Sequence, residues 1–150
     1  MRPGTDDYDR AIRLSPEECR IRATAERSAR LATHRPDGAI DLVPIVFGLL
    51  DSSLYFAVDH KPKTTQRLAR LRNIEHDPNV TVLFDRYSED WTQLWWVRLR
   101  GSASVLPDRS ERTTALDALG AKYEQYADLR PDGPVVRIEP IEWTGWTFAS

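Results

Sequence analysis

The chain is poor in the residues that most simply announce a function. Its single cysteine, Cys19, cannot close an internal disulfide. His34, His60 and His76 have no ligand-like spacing with one another or with Cys19, so a zinc site is not expected. No G-x-S-x-G is present to build a nucleophile elbow. The glycine patterns of the common nucleotide folds, G-x-G-x-x-G and G-x-x-x-x-G-K-[ST], are missing as well. No apolar run approaches the length of a membrane span, and the first fifteen residues contain no apolar stretch of the signal-peptide kind, so a cytoplasmic location is expected. Nor is there a surplus of positive charge. A net charge of −2 over 150 residues argues against a dedicated nucleic-acid binder. With side-chain nucleophiles and metals unsupported, chemistry carried by a bound cofactor becomes the leading class, the protein supplying binding, orientation and electrostatics.

What the chain does have is a local concentration of cations and five tryptophans. Residues 54–85, LYFAVDHKPKTTQRLARLRNIEHDPNVTVLFD, run from an apolar strand through a basic turn into a cationic helix and back into a strand. Lys61, Lys63, Arg67, Arg70 and Arg72 fall between Asp59 and Glu75 with no carboxylate among them. Thr64 or Thr65 is placed to cap the helix, turning its first N–H groups and positive dipole end toward Lys61 and Lys63, which is an anion site. An ordinary solvated helix face is the competing reading. The tryptophans, Trp91, Trp95, Trp96, Trp143 and Trp146, form two groups. Their flat apolar surface with one N–H suits a core, a ring-binding pocket or an interface.

The length fits one domain, with residues 1–14 as a flexible tail and residues 15–150 as the folded unit. Ser15-Pro16-Glu17-Glu18 is a capping box that predicts a helix over residues 16–27. Arg35-Pro36-Asp37-Gly38 predicts a tight turn, and residues 39–50 and 54–58 complete a three-stranded meander. The basic helix is predicted from about residue 65 to 74, with Leu68, Leu71 and Ile74 as its buried stripe. Strands follow over residues 80–85 and 94–105, the latter with a bulge or bend at Gly101. Asp108 and Glu111 suggest a second capping box, and Ala115, Leu116, Leu119, Tyr123 and Tyr126 an apolar helix face. A last strand region over residues 135–148 is expected to be interrupted by Pro140. The sum is a mainly β protein, an antiparallel barrel of six strands with two helices inserted as crossovers.

The order SSLYFAVDHKPKTTQRL, RNIEHDPNVTVLFD, WWVRLRGSASVL and IEWTGW resembles the pyridoxamine 5'-phosphate oxidase-like split-barrel family over about residues 15–148, and most of all its actinobacterial branch that uses the deazaflavin coenzyme F420. The resemblance implies a six-stranded split β-barrel that forms a homodimer, with two flavin or deazaflavin sites at the subunit interface. It places the family's phosphate-holding basic pair on Pro62 and Lys63, the arginine being lost and Lys61 standing beside it. Backbone along Val43, Pro44 and Ile45 and along Phe56, Ala57 and Val58 is implied to line the ring and ribityl chain, with Thr64, Thr65 and Arg67 in the anion site. Trp96 replaces a glutamine that reaches the ring from the partner subunit. Trp143 matches the oxidase's C-terminal tryptophan, but Ala149 stands where its arginine would be, so vitamin B6 oxidation is disfavoured. The extra anionic groups of coenzyme F420 suit the cationic helix better than FMN, which remains the alternative cofactor. The expected activity is hydride transfer between the deazaflavin and a planar conjugated small molecule, with water, Tyr87 or His60 as proton donor. An FMN-binding oxidoreductase and a non-catalytic flavin or tetrapyrrole carrier are the other readings.

Overall fold

The computed structural model describes residues 11–58, 65–107 and 109–148, the side chains of Ala11 and of residues 65–68 excepted. Eight antiparallel strands form one curled sheet: β1 (Ala11–Arg13), β2 (Ala29–His34), β3 (Ile40–Ile45), β4 (Gly48–Leu50), β5 (Ser53–Ala57), β6 (Asn79–Arg86), β7 (Trp95–Val105) and β8 (Val135–Phe148). Four helices accompany them: α1 (Pro16–Thr24), α2 (Thr65–His76), α3 (Arg109–Lys122) and α4 (Glu124–Asp128). Strands run in the order β3-β2-β6-β7-β8-β5-β4, with β1 added to β8. The mainly β barrel architecture is as expected, but the strand number is eight and not six. One addition, β1, pairs Ala11, Ile12 and Arg13 with Phe148, Thr147 and Trp146. The other arises because residues 39–50 fold as two strands, β3 and β4, separated by Val46 and Phe47.

That kink is held from a distance. The Tyr123 hydroxyl accepts from the Phe47 N–H at 3.1 Å and donates to the Arg27 carbonyl at 2.9 Å. Tyr123 lies between α3 and α4 with its N–H still donating to the Leu119 carbonyl, and it packs with Tyr126, edge-on at 6.0 Å, against the Ala115, Leu116 and Leu119 face as expected. The Arg35–Gly38 turn forms as its residues require: Gly38 has φ +90°, its N–H donates to the Arg35 carbonyl at 3.0 Å, and Asp37 accepts from the Ala39 N–H. The Ser15 capping box forms too, with the hydroxyl accepting from the Glu18 N–H and donating to its carboxylate. Yet α1 stops at Thr24, short of Arg27, whose guanidinium is drawn to the Lys122 carbonyl and the Tyr123 ring. In the α3 capping box, Asp108 lies outside the described residues.

Two apolar clusters divide the interior. The larger fills the inside of the sheet, where Leu31, Phe47, Leu54, Val82, Phe84, Val97, Leu99 and Ile138 meet under α1 and α2. In β7 the alternation is regular, Trp95, Val97 and Leu99 inward and Trp96, Arg98 and Arg100 outward. The smaller cluster seats Ala115, Leu116 and Leu119 of α3 on Tyr55, Ala57 and Val135. Pro140 does not interrupt β8 as expected. The ladder instead slips once between Arg100 and Gly101, with Pro140 opposite Gly101 and Ile141 left over. Proline brings no N–H to the ladder, so a bulge at this point loses least. A Cβ on Gly101 would lie 2.5 Å from Ile138 Cγ2 and 2.7 Å from the Glu139 carbonyl, which is why the slip occurs beside glycine.

Candidate functional site

The site grows from the edge of the sheet. β3 pairs only with β2 among the described strands, so the backbone groups on its other side are open to a ligand. Pro44 is tolerated there because an edge strand needs only half its donors. Across from that edge stands α2, whose Asn73 and Ile74 are buried and whose Leu71 packs against the larger core. Asn73 fixes the helix to the strands: its amide donates to Thr33 Oγ1 at 3.0 Å and to Asp41 Oδ2 at 2.8 Å. No pattern in the sequence singled out this residue, since an asparagine in a charged helix looks like any exposed one.

Between α2 and β3 two cavities meet at one side chain, Arg70. One, of about 320 Å³, is bounded by Pro44, Ile45 and Val46 of the β3–β4 corner, Phe56 and Ala57 of β5, Ser28 and Tyr126. The other, of about 390 Å³, is bounded by Thr33, Arg35, Asp41, Leu42 and Val43, with Ala69 above. Arg70 borders both. Its guanidinium carbon lies 5.9 Å from the Phe56 ring centre, and its Nε is buried with no hydrogen-bond partner among the described residues. Burial holds its pKa below the usual arginine value, a small effect on a group that stays charged.

Val43 borders one of these cavities and Pro44, Phe56 and Ala57 the other. Val58 is buried, and its N–H donates to the Pro134 carbonyl. Lys61, Lys63 and Thr64 lie outside the described residues, as does His60, and the side chains of Thr65 and Arg67 are likewise not described. Trp96 and Trp143 occupy opposite faces of the sheet. Trp143 pairs with inward-facing Leu99 and lies 6.1 Å from the Phe84 ring, whereas Trp96 faces outward beside Trp146, with Arg98 at 5.5 Å from its ring. Tyr87 is also away from the groove, exposed at another cavity with Arg22, Arg86 and Trp95. Among the described residues no cluster of His, Cys, Asp and Glu could hold a metal, and no helix is long and apolar enough to cross a membrane.

A curled antiparallel sheet with an open, helix-covered edge groove defines the split-barrel class. The chain belongs to the pyridoxamine 5'-phosphate oxidase family, which it matches over residues 15–147. Solved structures agree. A FAD-binding protein from Mesorhizobium loti is 22% identical with a TM-score of 0.71, the alignment covering 93% of this chain and 98% of that one. A conserved protein of unknown function from Corynebacterium diphtheriae is 28% identical with a TM-score of 0.69, covering 93% and 99%. HutZ, the heme storage protein from Vibrio cholerae, is 19% identical with a TM-score of 0.69, covering 92% and 98%. No curated protein matches the chain.

Proposed function

We propose that this protein is a coenzyme F420-dependent oxidoreductase that binds the deazaflavin along the β3–α2 groove and transfers a hydride between it and a planar conjugated small molecule. The observation that carries this reading is Arg70, a half-buried cation whose buried Nε has no partner among the described residues, on the helix whose start is preceded by Lys61 and Lys63. Orphaned buried donors are costly, and an anionic ligand removes that cost. The residues present fit such a group. Pro44, Ile45, Val46 and Phe56 offer an apolar slot for a ring, and the free edge of β3 offers backbone partners for the ring's polar rim. When bound, the deazaflavin supplies the hydride-bearing carbon. The protein's part is to hold the ring, exclude water from one face and leave the other open to the acceptor. Ser28 and Tyr126 line this cavity, whereas Tyr87 lies at another.

The working unit of this reading is a C2 homodimer. Trp96, Leu83 and Trp146 face outward on β6–β8, and Arg98 among them has a buried Nε without a partner. A second copy seated there covers the apolar face and brings Trp96 toward the partner's groove. The FMN and carrier alternatives draw on relatives named as FAD-binding and heme storage proteins.

Native mass spectrometry with coenzyme F420, FMN and haem separates the readings and weighs the dimer in the same measurement. Tighter binding of F420 is expected. FMN binding with no detectable F420 binding overturns the cofactor assignment. Trp96→Ala is expected to keep a cooperative melt and to bind F420 within about tenfold, about 1.4 kcal/mol, while changing the rate of F420H2 oxidation. Wild-type protein that binds reduced deazaflavin but oxidises it no faster than buffer across a broad acceptor panel establishes the carrier instead.

A further inference from the structure

Another cavity, of about 610 Å³, shares no residue with the two beside Arg70. It lies where the last turn of α1 and the loop over residues 87–94 meet the ends of β1, β7 and β8. Trp95 and its cross-strand partner Thr147 border it from the sheet, and Ile12, paired with Thr147, stands beside them half-exposed. Arg22 of α1 lays its guanidinium over the Trp95 ring, 5.5 Å from the ring centre. Stacking on an indole engages the face of a guanidinium and leaves its N–H edge free to donate. The other charges around the cavity are already matched. Arg86 gives both Nε and Nη2 to Glu26 at 3.0 Å, Glu89 accepts from the Tyr87 hydroxyl at 3.3 Å, and Asp90 accepts from the N–H and the hydroxyl of Thr92. Glu18, one turn back from Arg22, takes the Ser15 hydroxyl. Arg22 itself has no carboxylate partner among the described residues.

We infer that this cavity is a second ligand site, taking a small planar carboxylate whose acid group meets Arg22 while its ring lies against Ile12, Tyr87 and Phe148. It stands apart from the proposed function and does not rest on it. The ligand class follows from the charge left over. One unmatched guanidinium suits one negative charge, and two parallel N–H groups on its edge match the two oxygens of a carboxylate. A phosphate monoester, with close to two charges, would meet that single free cation with the Glu26 and Glu89 carboxylates nearby. A neutral ligand gains nothing from Arg22. The wall supplies the rest of the affinity: Ile12 is 50% and Tyr87 68% exposed, apolar surface that a ring removes from water. A volume of about 610 Å³ is within the range of small-molecule sites and admits an acid of one or two rings.

Isothermal titration of the full chain with 2-naphthoate and with its uncharged isostere 2-naphthamide tests this in wild type, Arg22→Gln, Ile12→Glu and Arg70→Met, with a thermal melt of each. The wild type is expected to bind the acid about tenfold more tightly than the amide, and Arg22→Gln to abolish that preference. Ile12→Glu places a negative charge on the exposed wall and leaves Arg22 and Trp95 in place. It is expected to weaken the acid about tenfold and the amide less than about threefold, and it decides the matter should Arg22→Gln fail to fold. Arg70→Met is expected to leave the acid within about twofold of wild type, since Arg70 does not border this cavity. Equal affinity for acid and amide in wild type overturns the inference. So does a preference that survives Arg22→Gln, by showing that the arginine serves only to cover Trp95. Loss of the acid in Arg70→Met and not in Arg22→Gln overturns it by placing the ligand in the β3–α2 groove. Absence of saturable naphthoate binding at millimolar concentration in wild type overturns it as well and leaves the proposed function standing.

Discussion

Arg70 and Arg137 each bury an Nε that has no partner among the described residues, yet their surroundings could hardly differ more. Arg137, on β8, places its Nη1 2.9 Å from Glu111 Oε1 of α3, and the same oxygen accepts from the Tyr55 hydroxyl at 3.0 Å. Its charge is compensated inside the protein and serves to fasten a helix to the sheet. Arg70, on α2, faces the Phe56 ring and two cavities, with no carboxylate paired to it among the described residues. A buried cation with an internal counter-ion is a structural joint, whereas one held beside empty space is disposed toward a ligand.

The largest effect is expected on the joint. Glu111→Ala strands Arg137 and takes one partner from the Tyr55 hydroxyl, which keeps Ser53, and should cost about 2–3 kcal/mol in urea denaturation, less than a fully buried pair because the side chains remain about a third exposed. A loss under about 0.5 kcal/mol would erase the distinction between the two arginines.

Lys122 sharpens the comparison from another side. Its ammonium is buried without a hydrogen-bond partner over the Phe47 ring at 3.7 Å, and burial, then the nearby Arg27 charge, lowers its pKa to about 8. Because the unfolded chain retains the ordinary value of 10.5, it binds a proton that the folded chain lacks between those two limits. Wild-type stability should therefore rise with pH from about 8 to 10.5 on this residue's account. Lys122→Met is expected to be more stable than wild type by about 1 kcal/mol at pH 7, a figure kept below the full shift because the side chain is only half-buried and the ring attracts the ammonium. That gain should disappear by pH 10.5. A gain that persists there would assign it to packing and not to charge.

The smallest stability effect is expected at Arg70 itself. Arg70→Met should change unfolding free energy by less than about 1 kcal/mol, in either direction, since it removes a desolvated charge and keeps much of the apolar stem contact. A loss as large as that of Glu111→Ala would make Arg70 a second structural joint.

Much of this was legible in the chain. The Ser15 capping box, the Arg35–Gly38 turn and β-rich alternation depend on neighbours within a few residues, and these formed where expected. The resemblance implied a cofactor along Val43, Pro44, Phe56 and Ala57, and these residues border the two cavities that meet at Arg70. The departures share one cause. The single strand expected over residues 39–50 breaks at Val46 and Phe47, where the Phe47 N–H donates to the Tyr123 hydroxyl 76 residues away in sequence. Helix α1 stops short of Arg27, whose guanidinium donates to the Lys122 carbonyl 95 residues away.

By itself, then, the sequence determined the β-rich class, the local turns and caps, and a cationic helix after β5, since each follows from periodicity, backbone preference or charge over a short span. Only the tertiary structure decided that Arg70 borders both cavities, and that Asn73 ties the helix to Thr33 and Asp41. It also separated Trp96 from Trp143, setting them on opposite faces of the sheet. The physical reason is that a charge acquires its role from what surrounds it after folding, and those surroundings come from strands far apart in the chain.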